Sequence, residues 1–210
     1  MNVDHLVVGA RSLEAGVAWC EATLGVTPAP GGKHALMGTH NRLLAIGSAD
    51  YPDAYLEIIA LDPEAPPPGR ARWFGLDHAD FSAGPRLIHL VARSTMLDMH
   101  RWGLITVGLQ PGEPIAASRG DLSWQILVRP DGALPCGCAL PTLIQWQGPH
   151  HPAQRLPPSG VTLRALALRG VPDRARDVLR LPKVDVAPSG APALSAVLHT
   201  PRGDVTLESA

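Results

Sequence analysis

An α+β chain made of repeated βαβββ units is the architecture this sequence predicts, and three observations predict it. First, three stretches can be laid over one another: VDHLVVGARSLEAGVAWCEATLGV from Val3, LIHLVARSTMLDMHRWGLITVGL from Leu87 and TLRALALRGVPDRARDVLRLPKV from Thr162. Such self-similarity marks a repeat architecture. Second, each stretch opens on an apolar run of strand length and continues into a helical stretch. Third, 21 glycines and 22 prolines in 210 residues argue for short strands joined by turns and against a helical bundle.

The elements follow in order. In the first copy Leu13, Val17, Cys20 and Leu24 fall on one helical face, with Ser12 as N-cap and Gly25 as terminator. Strands are then expected at residues 34–37, 42–46 and 55–61. In the second copy Ser94 or Thr95 caps the helix, and strands are expected at 114–117, 122–128 and 140–146. In the third, Pro172 suits a first helical position, and strands are expected at 184–187, 193–199 and 204–208. The organisation is a first unit over 1–62, a linker over 63–85, a second unit over 86–147, a linker over 148–160 and a third, degenerate unit over 161–210. Trp73, Phe74 and Leu76 should pin the first linker to the body.

Composition bounds the function. A formal net charge of −1 gives no bulk attraction to nucleic acid. No apolar run approaches the roughly 18–20 residues of a membrane helix. MNVDHLVVGARSLEAG lacks the basic-then-apolar pattern of a signal peptide. The three cysteines, Cys20, Cys136 and Cys138, are an odd count that reads as reduced thiols in the cytoplasm. Cys136 and Cys138 with His150 and His151 match no common zinc-finger spacing, so a thiol pair in a turn is the plainer reading.

Four polar residues stand out. Side chains alternate across a strand, which groups His5 with Val3 and Val7, Glu57 with Tyr55 and Ile59, His89 with Leu87 and Val91, and Gln145 with Leu143 and Gln147. The repeat alignment lays His5 on His89, with Arg164 third, and puts Glu57, Gln145 and Glu208 in register. Two imidazoles, a carboxylate and an amide oxygen form a donor set for a divalent metal such as Zn, Ni, Fe or Mn. Arginine offers only donors, so Arg164 and Glu208 are expected to pair with each other in a purely structural third copy. The plainer alternatives are two buried histidines satisfied by backbone, Glu57 paired with an arginine, and Gln145 as a substrate hydrogen-bonder in a metal-free cup. Trp124 and Trp146 read as core, with Trp146 opposite Gln145 and packed on a helix.

At this point the sequence resembles the vicinal-oxygen-chelate superfamily, whose members carry a His on the first strand of a βαβββ unit and a Glu on the last. GGKHALMGTHNRLLAIG, YLEIIALDP and LPTLIQWQGPHHP resemble more closely the bacterial glyoxalase-like domain proteins within it. The resemblance covers nearly the whole chain. It implies two units forming a cup-shaped sheet of the glyoxalase/bleomycin-resistance type, a likeness that leaves the third copy beside them or exchanged with a partner chain. It further implies a metal held by His5, Glu57, His89 and Gln145, and His34, Thr39 and Asn41 lining a substrate pocket; the residues alone read those three as turn chemistry. The implied function is a metalloenzyme of lyase, isomerase or dioxygenase type acting on a small oxygenated substrate, as a homodimer. Gln145 departs from the glutamate that serves as base in glyoxalase I, because an amide takes no proton at neutral pH; Glu57 is then the catalytic candidate, with Gln145 as ligand or orienter. The alternative function is a metal-free binding protein that sequesters a small molecule in the same cup.

Overall fold

The computed structural model describes residues 1–209; Ala210, the last residue of the expected third unit, lies outside the described residues. The first unit contains β1 (Asn2–Gly9), α1 (Leu13–Leu24), β2 (Ala29–His34), β3 (Thr39–Ala45) and β4 (Tyr55–Leu61). The second contains β5 (Arg86–Arg93), α2 (Leu97–Thr106), β6 (Glu113–Arg119), β7 (Leu122–Val128) and β8 (Thr142–Gln147). The third contains β9 (Thr162–Arg169), α3 (Asp173–Leu179), β10 (Val184–Ala187), β11 (Ala193–Thr200) and β12 (Gly203–Glu208). The fold is α+β, as the repeats predict.

The first two units share one eight-stranded sheet in the order β2-β3-β4-β1-β5-β8-β7-β6. In each half the first strand runs parallel to the fourth (β1 with β4, β5 with β8), and β1 meets β5 antiparallel at the centre. The sheet curls until its two edges approach. Arg119, at the end of edge strand β6, hydrogen-bonds His34 on β2 and Asn41 on β3. One face carries the helices over a core that includes Leu6, Leu56, Ile58, Leu90, Leu104 and Leu143. The other face is concave, and its apolar layer includes Val7, Ile59, Val91, Ile126 and Ile144. Alternating strands that are apolar on both faces need a cover on both sides. The concave cover comes from the 63–85 segment, where Trp73, Phe74 and Leu76 are buried against that layer.

α1 begins on Ser12, whose side chain accepts from the Ala15 amide, and ends at Gly25 with φ +77°. Its buried stripe is Gly16, Cys20 and Leu24, with Leu13 and Val17 only half-buried. Gly16 sets the stripe, because a Cβ there would lie 2.4 Å from the Ile58 Cγ2. β2 is a larger departure. It lies at 29–34 rather than 34–37, and it contains the pair Gly31 and Gly32. A Cβ on Gly31 would sit 2.1 Å from the Asn41 Oδ1, and one on Gly32 2.4 Å from the Arg119 Cδ. These glycines are strand residues because other side chains cross directly over them.

The third unit keeps the βαβββ order but pairs differently. Its sheet runs β10-β9-β11-β12, so β9 lies between β10 and β11, and β12 is an edge strand. Arg164 and Glu208 are both exposed, with β11 between their strands, and no ion pair joins them among the described residues. The expected pairing is corrected: it assumed that first and last strands are neighbours, as they are in the other two units. No helix among the described residues is long and apolar enough to cross a membrane.

Candidate functional site

Two β-bulges build the polar floor of the concavity. In the β1–β5 ladder Val3 faces Ala92 while His5 faces Val91, so Asp4 is the extra residue. A bulge breaks the alternation of faces, and Asp4 and His5 both turn into one hydrogen-bonded cluster. The second irregularity leaves Ile88 as the extra residue on β5, since Val7 faces His89 and Val8 faces Leu87. Leu87 therefore packs on the helix side, while Ile88 packs in the concave layer.

The cluster is continuous. The His5 Nδ1 donates to the Asp4 Oδ1 at 2.7 Å, and its Nε2 faces the Glu57 Oε2 at 3.5 Å. The Asn41 Nδ2 donates to the Glu57 Oε1 at 2.5 Å. The Asn41 Oδ1 accepts from the Gly32 amide at 2.8 Å and from the Arg119 Nη1 at 3.1 Å. Because arginine only donates, the His34 Nε2, 3.3 Å from that Nη1, presents a lone pair, and its Nδ1–H donates to the Thr39 Oγ1 at 3.1 Å. At the other end Asp4 also accepts from the Trp146 Nε1 at 2.9 Å and the His151 Nε2 at 3.1 Å. His5 stacks on Tyr55, with ring centroids 4.6 Å apart. Trp73, Phe74, Trp124 and Trp146 wall the remaining space.

Charge in this cluster is fixed by pairing. Burial alone would lower the His5 pKa, but its hydrogen bonds to Asp4 and Glu57 outweigh burial and raise it to about 9. Burial would raise Glu57, but His5 and Asn41 bring it down to about 2. Both groups are thus charged at neutral pH. Burial, with the charge of Glu57 only partly opposing it, takes His34 down to about 4 and leaves it neutral. A stability profile follows by linkage. The raised His5 contributes fully below its ordinary 6.5 and loses that contribution as pH rises through about 9. The depressed Glu57 contributes fully above its ordinary 4.5 and loses it as pH falls through about 2. The stability difference between wild type and His5→Gln should therefore peak between these two ordinary values and shrink on both sides. Denaturant unfolding at a series of pH values measures it, and a flat difference would refute the charged pair.

Of the residues singled out in the sequence, His5, Glu57, His34, Thr39 and Asn41 converge here. His89 lies against Phe74, ring centroids 5.6 Å apart. Its Nε2 accepts from the Thr142 amide at 3.1 Å and meets the Thr142 Oγ1 at 2.9 Å. An amide N–H can only donate, so the neutral His89 ring carries its proton on Nδ1. Burial lowers its pKa to about 3, which keeps it neutral.

Gln145 is elsewhere. Its Oε1 accepts from the Leu97 amide at 2.8 Å and so caps α2 on the helix side, the role expected of Ser94 or Thr95. Trp146 does lie opposite Gln145, but in the concavity rather than on a helix. The ladders give the reason. Val7, two residues after His5, pairs with Glu57; Val91, two residues after His89, pairs with Thr142. The true counterpart of Glu57 is Thr142, three residues before Gln145, and three residues reverse the face. Gln145→Ala should cost ~0.5–2 kcal/mol, as loss of a helix N-cap does, and leave ligand affinity in the concavity unchanged; a calorimetric titration that shows otherwise would overturn this placement.

The expected metal centre can be tested on the same geometry. His5 and Glu57 bring one nitrogen and one oxygen to within 3.5 Å. The other half offers an imidazole whose Nε2 already accepts a backbone N–H, and a neutral hydroxyl in place of a carboxylate. No group of three or more His, Cys, Asp or Glu side chains suited to a metal occurs among the described residues. Three or four protein donors are usual for zinc, so these residues do not fit a divalent centre. Asp4, Arg119, Tyr55 and His151 were not singled out as site residues in the sequence; Asp4 carried a local signal as a carboxylate beside His5 in an apolar run, and Tyr55 one as a neighbour of Glu57 on the same strand face.

Two βαβββ halves sharing one curled sheet around a polar concavity are the architecture of the vicinal-oxygen-chelate superfamily. The sequence model of a family described as the glyoxalase-like domain matches residues 3–181, and the chain belongs to that family. No curated protein matches the sequence. Among solved structures, a hypothetical protein from Staphylococcus aureus aligns over 99% of this chain and 84% of its own, with 13% identity and a TM-score of 0.58. A methylmalonyl-CoA epimerase from Mycobacterium tuberculosis aligns over 70% of this chain and 88% of its own, with 18% identity and a TM-score of 0.43. A hypothetical protein from Bacillus halodurans C-125 aligns over 71% and 95%, with 13% identity and a TM-score of 0.44. At such identities the likeness is one of fold.

Proposed function

We propose that this protein binds a small oxygenated organic molecule in the concavity between β2 and β6, without a resident metal. The observation that carries the reading is the continuous chain of hydrogen bonds and one ion pair from Asp4 through His5, Glu57 and Asn41 to Arg119, faced by four aromatic rings. Polar groups placed at one side of an apolar, aromatic-walled cavity are the usual form of a small-molecule site. The donors of the polar chain hydrogen-bond the ligand's oxygens, while the rings hold its flat or apolar part.

Binding is preferred over proton-transfer catalysis because His5 and Glu57 are each held by partners within the protein. An acid–base catalyst works best with a pKa near the working pH. Glu57 at about 2 and His5 at about 9 are both displaced from neutrality by their own pairing. The metal-dependent lyase, isomerase or dioxygenase reading loses its support with the donor set.

Two measurements test this together. Elemental analysis after loading with Zn, Ni, Fe or Mn should find less than one equivalent retained, with no difference between wild type and His5→Ala. A library of small oxygenated molecules, screened through the fluorescence of Trp73, Trp124 and Trp146, should yield ligands whose affinity changes in Glu57→Gln. One equivalent of metal retained in wild type and lost in His5→Ala would return the metalloenzyme. A screen with no ligand sensitive to Glu57→Gln would remove the binding site from this concavity.

A further inference from the structure

Two buried donors in and behind the wall of the concavity lack an acceptor among the described residues. The Trp73 Nε1–H is buried in the wall itself, and the His89 Nδ1–H is buried beneath Phe74. A buried donor left unmatched is costly and calls for an explanation. Arg119 adds more. Its guanidinium carries five N–H donors, of which only those on Nη1 are engaged, and with neutral acceptors, Asn41 and His34. Carboxylates near it are already committed: Glu57 to His5 and Asn41, and Asp121, two residues on, to Arg155.

Arg119 also occupies a particular place. It lines both the inner concavity and an outer groove of about 540 Å3 whose walls include Pro30, Gly31, Gly120 and Leu156. The inner space is about 30 Å3, enough for about one water molecule. Arg119 thus stands across the seam between the two sheet edges, and the bare Gly31–Gly32 backbone lets it lie there.

We propose that the ligand is a small organic carboxylate whose body lies in the outer groove and whose carboxylate enters the β2–β6 seam, where Arg119 exchanges its contacts with Asn41 and His34 for the carboxylate. A planar guanidinium matches a carboxylate with two parallel hydrogen bonds. The Trp73 indole N–H, in the wall of the concavity, supplies a further donor to the oxygens of the bound molecule. The proposal rests on the concavity being a small-molecule site, and it adds the charge of the ligand and its route.

The test uses matched pairs that differ only in charge: benzoate against benzamide and 2-naphthoate against 2-naphthamide. They are titrated into the full chain with tryptophan fluorescence and calorimetry as readouts. The acid of each pair should bind roughly tenfold or more tightly than its amide, the scale of a charge-assisted hydrogen bond. Arg119→Met should abolish that preference, the acid losing far more affinity than the amide, and Arg119→Lys should keep part of it. A thermal melt checks each variant, and Arg119→Gln replaces Arg119→Met if the latter does not fold. Acid and amide binding equally well to wild type would overturn the carboxylate proposal and leave the binding site standing. An acid preference that survives Arg119→Met would overturn the role of Arg119. Failure of all four probes to bind wild type would overturn both the proposal and the reading beneath it.

Discussion

Replacing Asp4 with alanine should lower stability by ~3–5 kcal/mol, the scale of breaking a buried ion pair. Asp4 is fully buried and accepts from His5, Trp146 and His151, with the Arg93 Nε 3.9 Å away. Without it three buried donors lose an acceptor at once, and the His5 imidazolium keeps only Glu57. Asp4→Asn should approach the same loss, because an amide nitrogen would face one of those donors. Urea unfolding of both variants measures this. A loss of under ~1 kcal/mol, the net worth of one ordinary hydrogen bond, would mean that Asp4 is not the hub of the cluster. A His5 pKa unchanged from wild type in Asp4→Ala, followed by NMR, would say the same.

Trp73→Ala should cost ~3–5 kcal/mol by the rule for large aromatic truncations, and it should also open the concavity. Trp73 is 4% exposed and packs edge-on against His34. The next residue, Phe74, is held at φ +59°, a region bulky residues seldom occupy. A side chain kept there must be held by its surroundings, and Trp73, stacked on it at 5.6 Å, is part of those surroundings. Removing Trp73 should therefore loosen Phe74 as well. Acrylamide should then quench Trp124 and Trp146 more strongly than in wild type, in a protein whose far-ultraviolet circular dichroism is unchanged. Unaltered quenching with native secondary structure would show that the 63–85 segment does not cover the concavity.

The repeat pattern exposed the element order and the central pair, His5 and Glu57, because regular alternation holds in β4 and through the middle of β1. It failed where strand geometry departs from regularity. The bulge at Asp4 turns a second carboxylate toward His5, against a strict count of two. The offset between β5 and β8 moves the counterpart of Glu57 from Gln145 to Thr142, a residue with no charge to mark it. Arg119 lies 78 positions from Asn41 along the chain, and only the curl of the whole sheet brings them together. The topology of the third unit was hidden for a different reason: an order of strands does not specify which ones pair.

That third unit is sewn into the rest. The Leu163 amide donates to the Ile46 carbonyl at 2.8 Å, the Tyr51 hydroxyl to the Lys183 carbonyl at 2.6 Å, and Leu166, Leu168 and Leu198 belong to the same apolar layer as Leu6 and Leu90. Cutting the chain near residue 160 would bare the apolar layer that β5 and α2 share with the third unit. Heat should dissolve the two sheets in a single cooperative step, and mutations on the outer sheet should be felt inside the distant concavity through loss of the common interior.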